Sequence, residues 1–282
     1  MPSILDNVLK ELPVYLGNFT HMLTQPKQLV TDHLNAAEPQ ARLVQSIAFL
    51  LLSFTVALVL AVVFPEVTNP VQLVSDEAGM VAHAFAAIRL LFEMLGLSAL
   101  AYLAAKIAGV QSGFQRFFGL MCAACGVMLV IQVFAAALTN ISLADPVTAK
   151  AWIQLEKGMA DLKPMLEQGV LCATDAKSGE VSPNAALGTQ LQVQLAAMQA
   201  AYLQATDRPL FKLATGLQLL AWLILLIWSA RLWALYLQGH TLSTGKVVLA
   251  TVLLVVFTGA GTLVYELVNA GRTMMDLYRQ CG

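Results

Sequence analysis

The sequence predicts an all-α fold: a polytopic bundle of five transmembrane helices carrying an external helical hairpin. Three observations predict it. The 282-residue chain is 58% hydrophobic and only 12% charged, with a mean hydropathy of +0.71, whereas a soluble domain carries about a quarter charged residues. Five apolar segments each reach the roughly 20 residues that a helix needs to cross a bilayer. Between the third and fourth segments lies a more polar stretch with two runs of helical spacing, residues 144–212.

Residues 1–45 precede the first span. Ile4, Leu5, Val8, Leu9 and Leu12 recur at helical spacing, with Asp6, Asn7, Lys10 and Glu11 opposite. Pro13 and Pro26 are expected to divide this segment into short helices, because proline removes a helical hydrogen bond. An amphipathic segment beside a span either lies on the membrane surface or packs on the protein itself; the sequence leaves both open. Residues 1–30 lack the basic start, apolar core and cleavage site of a signal peptide, so the first span is expected to act as an uncleaved anchor.

The spans are residues 46–64, 81–110, 117–143, 214–237 and 247–269, so that 46–143 hold spans one to three and 213–270 spans four and five. Runs this long must satisfy their backbone groups internally, which makes them helices. The alternating pattern of a membrane barrel is absent. Residues 65–80 contain Glu66, Asp76 and Glu77 but no Lys or Arg, whereas Lys106, Arg116, Arg231 and Lys246 flank the turns at 111–116 and 238–246. By the positive-inside rule the N-terminus and those turns are cytoplasmic, and the hairpin and the tail 271–282 are external. Lys106 and Arg231 lie close enough to span ends to snorkel, the latter beside an aromatic belt of Trp228, Trp233 and Tyr236.

The hairpin runs through 144–212. Trp152, Leu155, Met159, Leu162 and Leu166 mark one helix; Leu191, Val193, Leu195, Met198, Tyr202 and Leu203 mark the other, with a polar turn at 175–183. Two helices cannot bury two apolar faces fully, so these faces meet each other, the span mouths or a partner protein.

Ionisable groups at membrane depth are costly and point to function or to locked helix pairs. Arg89 and Glu93 sit one turn apart in the second span, and Glu266 near the outer end of the fifth reaches a similar level, with His83 nearby. This intramembrane cluster is either an ion pair fixing helix register or a substrate or proton site. A transporter normally breaks its spans at mid-membrane; only Gly259-Ala260-Gly261 resembles such a break. Cys172 and Cys281 fall on the same, external side and are candidates for a disulfide. Cys122 and Cys125 form a Cys-x-x-Cys, but they lie among Gly119, Ala123 and Gly126, a small-residue stripe of the kind that lets membrane helices approach. Packing rather than redox chemistry is the expected role. That placement also counts against a quinone-linked thiol oxidoreductase, since the two pairs of cysteines would face opposite sides.

No catalytic signature occurs. His21, His33, His83 and His240 lack metal-ligand spacing, and there is no phosphate-binding loop or nucleophile elbow. No cofactor and no metal are expected, and a net charge of −1 gives no reason to expect nucleic acid. Two segments resemble the bacterial members of the Yip-domain family of five-span membrane proteins. Phe19-Thr-His-Met-Leu-Thr-Gln-Pro26-Lys27-Gln-Leu-Val resembles their Leu-Thr-x-Pro-Lys segment before the first span. Ala108-Gly109-Val-Gln-Ser-Gly113-Phe114-Gln115-Arg116-Phe117 resembles their Gly-rich turn into the third. The resemblance covers the N-terminal segment and the first three spans, and the hairpin is an addition to the family's compact pattern. It carries no catalytic residues; eukaryotic relatives bind Rab-type GTPases and shape membranes. What it implies here is a non-enzymatic scaffold or accessory subunit of an envelope complex in a bacterial inner membrane, with membrane lipids and proteins as partners. The alternative is a small transporter or lipid-handling protein built on the Arg/Glu cluster.

Overall fold

The computed structural model describes residues 4–64, 95–167, 173–174, 181–182 and 185–281. It is helical apart from one antiparallel pair of two-residue strands, β1 (Ala173–Thr174) and β2 (Val181–Ser182), with Ala173 opposite Ser182. The helices are α1 (Ile4–Thr24), α2 (Pro26–Leu34), α3 (Pro39–Val63), α4 (described over Leu95–Ile107), α5 (Phe114–Ala137), α6 (Pro146–Glu167), α7 (Ala185–Thr206), α8 (Pro209–Gln238) and α9 (Thr244–Cys281). A 3₁₀ segment, Leu138–Ala144, extends α5.

Four stretches are long and apolar enough to cross a membrane: Pro39–Val63, Phe114–Ala144, Pro209–Gln238 and Thr244–Val264, of 25, 31, 30 and 21 residues. At 1.5 Å per residue even the shortest matches a hydrocarbon core of about 30 Å. They mark the chain as an integral membrane protein. The fifth expected span, 81–110, is represented among the described residues only by α4, which at 13 residues is about 20 Å long and too short to cross alone. Residues 81–94 lie outside the described residues.

Two boundaries differ from expectation. Helix α1 continues through Pro13 without a break. Proline costs a helix interior about 3 kcal/mol in isolation; here the following turns are held by long-range packing, with Tyr15 buried and Phe19, Met22 and Leu23 packed on the core. Pro26 behaves as expected: Gln25 leaves helical geometry at ψ 59° and Pro26 opens α2, a position where its missing N–H costs nothing. At the other end, α9 runs as one 38-residue helix rather than a span followed by a separate tail. The Gly259-Ala260-Gly261 stretch lies inside it unbroken.

The described residues form two compact units. Within the described residues, the first draws on those up to 63 and within 95–135 and 219–259, the second on those within 136–218 and 260–281. In the first, α5 is the central helix. Phe117, Leu120, Ala123, Ala124 and Val127 are buried along it, and α4 meets the same core with Ala101, Ala105 and Ala108. Between apolar helices in lipid there is no hydrophobic driving force, so small residues that permit close approach carry the association. A Cβ on Gly126 would stand 2.8 Å from Phe49 Cε1 and 2.9 Å from Ser53 Oγ, both on α3. One end of this unit gathers the chain's turns. Arg116 donates to the Ala36 carbonyl at 3.3 Å, and the Ser112 and Tyr236 hydroxyls pair at 2.6 Å. Trp228, on α8, donates its indole N–H to the Leu23 carbonyl at 2.9 Å.

In the second unit α6 and α7 form the expected hairpin. Trp152 and Leu155 of α6 are buried against Ala201 and Ala205 of α7, flanked by Met198 and Tyr202. Contact is close: a Cβ on Gly158 would be 2.7 Å from Met198 Cγ.

Candidate functional site: an uncharged hairpin helix and a groove under α1

Of the residues singled out above, His83, Arg89 and Glu93 lie outside the described residues. Glu266 is placed only as backbone within α9, so the intramembrane cluster acquires no geometry. Cys172 also lies outside the described residues, and Cys281 contributes only the backbone of the last turn of α9. Cys122 and Cys125 are free and buried, packed with Leu50 and flanked by Ile47, Phe118 and Met128. Their surroundings are those of packing residues. Among the described residues no group of His, Cys, Asp or Glu is arranged to hold a metal.

The hairpin is anchored at its base by Asp145. Its Oδ1 accepts from the backbone N–H of Val147 at 2.8 Å and Thr148 at 3.3 Å, capping α6, the arrangement that satisfies otherwise orphaned N–H groups. Its Oδ2 accepts from Arg208 Nε at 2.9 Å, just beyond the end of α7. Burial alone would raise the carboxyl, but these hydrogen bonds outweigh it and hold Asp145 below the usual carboxylate range. One side chain thus starts one helix and pins the end of the other.

Helix α7 has an unusual surface. Residues 185–206 contain no charged side chain, and glutamines at 190, 192, 194, 199 and 204 supply its polarity. Only the face with Ala201 and Ala205 is buried on α6, while Val193, Leu195 and Leu203 are exposed, Val193 at 65%. Ile153 on α6 is likewise exposed. Leu162, Leu166 and Leu191 lie outside the described side chains.

In the first unit α1, α2 and α3 enclose a groove of about 750 Å³, within the range of small-molecule sites. Its polar wall is Asn18, His21, Asp32, Arg42 and Gln45; its apolar wall includes Val14, Met22, Phe49 and Leu52. Arg42 pairs with Asp32 at 3.2 Å and donates to Gln45 at 3.4 Å, while its Nε is buried with no hydrogen-bond partner. Tyr15 donates to Ser53 at 2.9 Å and stacks on Phe49 at 5.3 Å, joining α1 to α3. The amphipathic N-terminal segment therefore packs on the protein through its second half; the stripe from Ile4 to Leu12 lies outside the described side chains.

His33 closes the inner end of the groove. Nearly fully buried, it donates Nδ1–H to the Leu29 carbonyl at 2.8 Å, and its Nε2 meets the Ser46 hydroxyl at 2.9 Å. Burial, aided by Arg42, holds the imidazole below its ordinary value against the opposing pull of the Leu29 carbonyl and Asp32. Nδ1–H is committed to the Leu29 carbonyl, while the Ser46 hydroxyl that meets Nε2 also donates to the Arg42 carbonyl at 3.0 Å. A group with a depressed histidine pKa binds protons more readily when unfolded, so its stability contribution is complete above about pH 6.5 and shrinks as pH falls below it. The thermal midpoint of the detergent-solubilised protein is expected to fall between about pH 6.5 and about pH 5, and His33→Gln should flatten that decline. An equally steep decline in the variant would remove His33 as its source.

No protein-family model, curated protein or solved structure matches this chain.

Proposed function

We propose that the protein is a non-enzymatic membrane interaction protein, an accessory subunit that docks on its partner through α7. The single observation carrying this reading is the charge-free helix with Val193, Leu195 and Leu203 exposed. Exposed apolar side chains grouped on a surface without charge mark an interaction site. Glutamine amides supply hydrogen bonds without charge, which fits a partner presenting a neutral apolar helix. The expected setting is an envelope complex of a bacterial inner membrane, with the N-terminus cytoplasmic and the hairpin external. The Yip-like segments around Pro26 and Gly109 agree with a scaffold, and the family itself remains part of the proposal.

The test is the mass of the particle released in mild detergent. Wild type should run with a stoichiometric partner that survives high salt, because no ion pair holds it. Val193→Glu with Leu203→Glu should release the partner while leaving the Asp145–Arg208 anchor untouched. A wild-type protein that runs alone, or a complex indifferent to both substitutions, would sink the reading.

A second reading has its own observation. The groove beneath α1 combines a polar wall with an apolar one, which suits an amphiphile such as a lipid. It offers a second place for lipid handling beside the Arg/Glu cluster, and transfer of labelled lipid between liposomes is its assay.

A further inference from the structure

At one end of the first unit, two segments that hold no carboxylate bring lysines together. Residues 95–137 contain no Asp or Glu, and neither do residues 209–264. Within them the first unit carries Lys106, Arg116, Arg231 and Lys246. Arg116 is engaged with the Ala36 carbonyl. Lys106 and Lys246 are exposed, and among the described residues neither forms a salt bridge.

Two turns bring these lysines together. After α4 the chain turns at Gly109, whose N–H donates to the Lys106 carbonyl at 3.0 Å and whose φ is 100°, a left-handed conformation that glycine adopts freely. After α8 it turns through His240 and Thr241, whose N–H groups donate to the Leu237 and Gln238 carbonyls at 3.2 and 3.0 Å. The Ser112–Tyr236 hydroxyl pair locks one turn to the other. Lys246, in the first turn of α9, lays its ammonium over the Gly109 backbone, 3.4 Å from where a Cβ would be. Lys106 holds its ammonium 5.4 Å from the Tyr102 ring centroid. His240 packs edge-on against Tyr236 at 5.0 Å, and its Nε2 is buried with no hydrogen-bond partner. The first N–H groups of α9 have no partner within the helix and add a partial positive charge at the same place.

The Lys246 ammonium thus sits over the exposed Gly109 turn, and the Lys106 ammonium lies on the Tyr102 ring at the end of the helix that leads into that turn. We propose that Lys106 and Lys246 beside Gly109 form a binding site for a phosphate group, supplied by a phospholipid headgroup or by soluble phosphate. Phosphate fits because it offers several strong acceptor oxygens and enough charge to satisfy more than one cation. A single carboxylate would leave one ammonium unanswered. Basic pockets between membrane helices near the interface take anionic headgroups on this principle.

The test is native mass spectrometry of the full-length protein titrated with phosphatidylglycerol or with phosphatidylcholine. Wild type should retain phosphatidylglycerol preferentially. Lys106→Gln with Lys246→Gln should weaken that preference about thirtyfold, taking each lysine near the headgroup as a separate contribution. Lys150→Gln with Lys157→Gln makes the same change of net charge on the hairpin and should leave the preference intact. Both pairs are exposed, and an unchanged thermal midpoint verifies the fold of each variant. Displacement of the lipid by inorganic phosphate would identify a soluble anion as a competent ligand, and resistance to it would identify the headgroup; either agrees with the site. The proposal is overturned if wild type binds neither probe, if the preference survives loss of both lysines, or if the hairpin variant loses it equally.

Discussion

Trp228→Ala should destabilise this protein by about 3–5 kcal/mol, the usual cost of emptying a large aromatic site. Trp228 is buried where α8 meets α1, within the cluster that holds Tyr15, Phe117, Leu225 and Leu232. Its indole N–H is also the donor to the Leu23 carbonyl. Alanine would leave a void in helices that associate by van der Waals contact, with no water to fill an apolar gap. The effect should appear as a lower thermal midpoint in detergent and as proteolytic cleavage near Gln25, where α1 loses its hold. Trp228→Phe separates the two contributions: it keeps most of the ring and removes the donor, so it should cost only about 0.6 kcal/mol, the average worth of a hydrogen bond between membrane helices. Equal losses in the two variants would mean that the hydrogen bond, not the packed ring, holds α1.

The second large effect is expected at Gly126. A Cβ there falls within 3 Å of two Phe49 ring atoms and of Ser53 Oγ, nearer than ordinary van der Waals contact. Gly126→Val adds a branched side chain to that crossing and should cost about 1–3 kcal/mol. The ring of Phe49 has little room to retreat, because Tyr15 stacks on it. Combining Gly126→Val with Phe49→Ala should therefore cost less than the sum of the two, with a coupling of at least about 0.5 kcal/mol. Strict additivity in thermal unfolding would show that the crossing has loosened elsewhere and that Phe49 is not what the valine strikes.

The close α3–α5 crossing is legible in the amino-acid sequence. Gly119, Ala123 and Gly126 fall on one face of an otherwise bulky span, and that spacing alone says where another helix approaches. The same stripe places Cys122 and Cys125 in packing. The hairpin is legible as well, because its two helices repeat apolar residues at helical spacing around a polar turn. Pro13 misleads because a local rule is set against distant contacts: the turns after it are held by residues of α3 and α8 that lie far along the chain. The groove under α1 gives no signal for a related reason. Asp32 and Arg42 sit on different helices at no regular spacing, and His33 meets Ser46 only after α2 folds back on α3. Lys106 and Lys246 look like ordinary basic residues at span ends. What distinguishes them is that, among the described residues, neither forms a salt bridge, and that emerges only from the assembled bundle.

The hydrogen bond from Trp228 to Leu23 joins residues 205 positions apart, and this sets an order on biogenesis. The N-terminal helices leave the ribosome first, yet one of their main attachments does not exist until α8 has been made and inserted. Throughout most of synthesis α1 is held by contacts such as those of Tyr15 with Ser53 and Phe49 of α3, while the Leu23 carbonyl waits for its donor. Domains normally fold as they emerge, N-terminal part first; here the earliest segment must wait for one of the latest. Clamping of α1 by α8 is therefore a mark that α8 has been inserted, and a product that stops before α8 would leave the end of α1 unlatched.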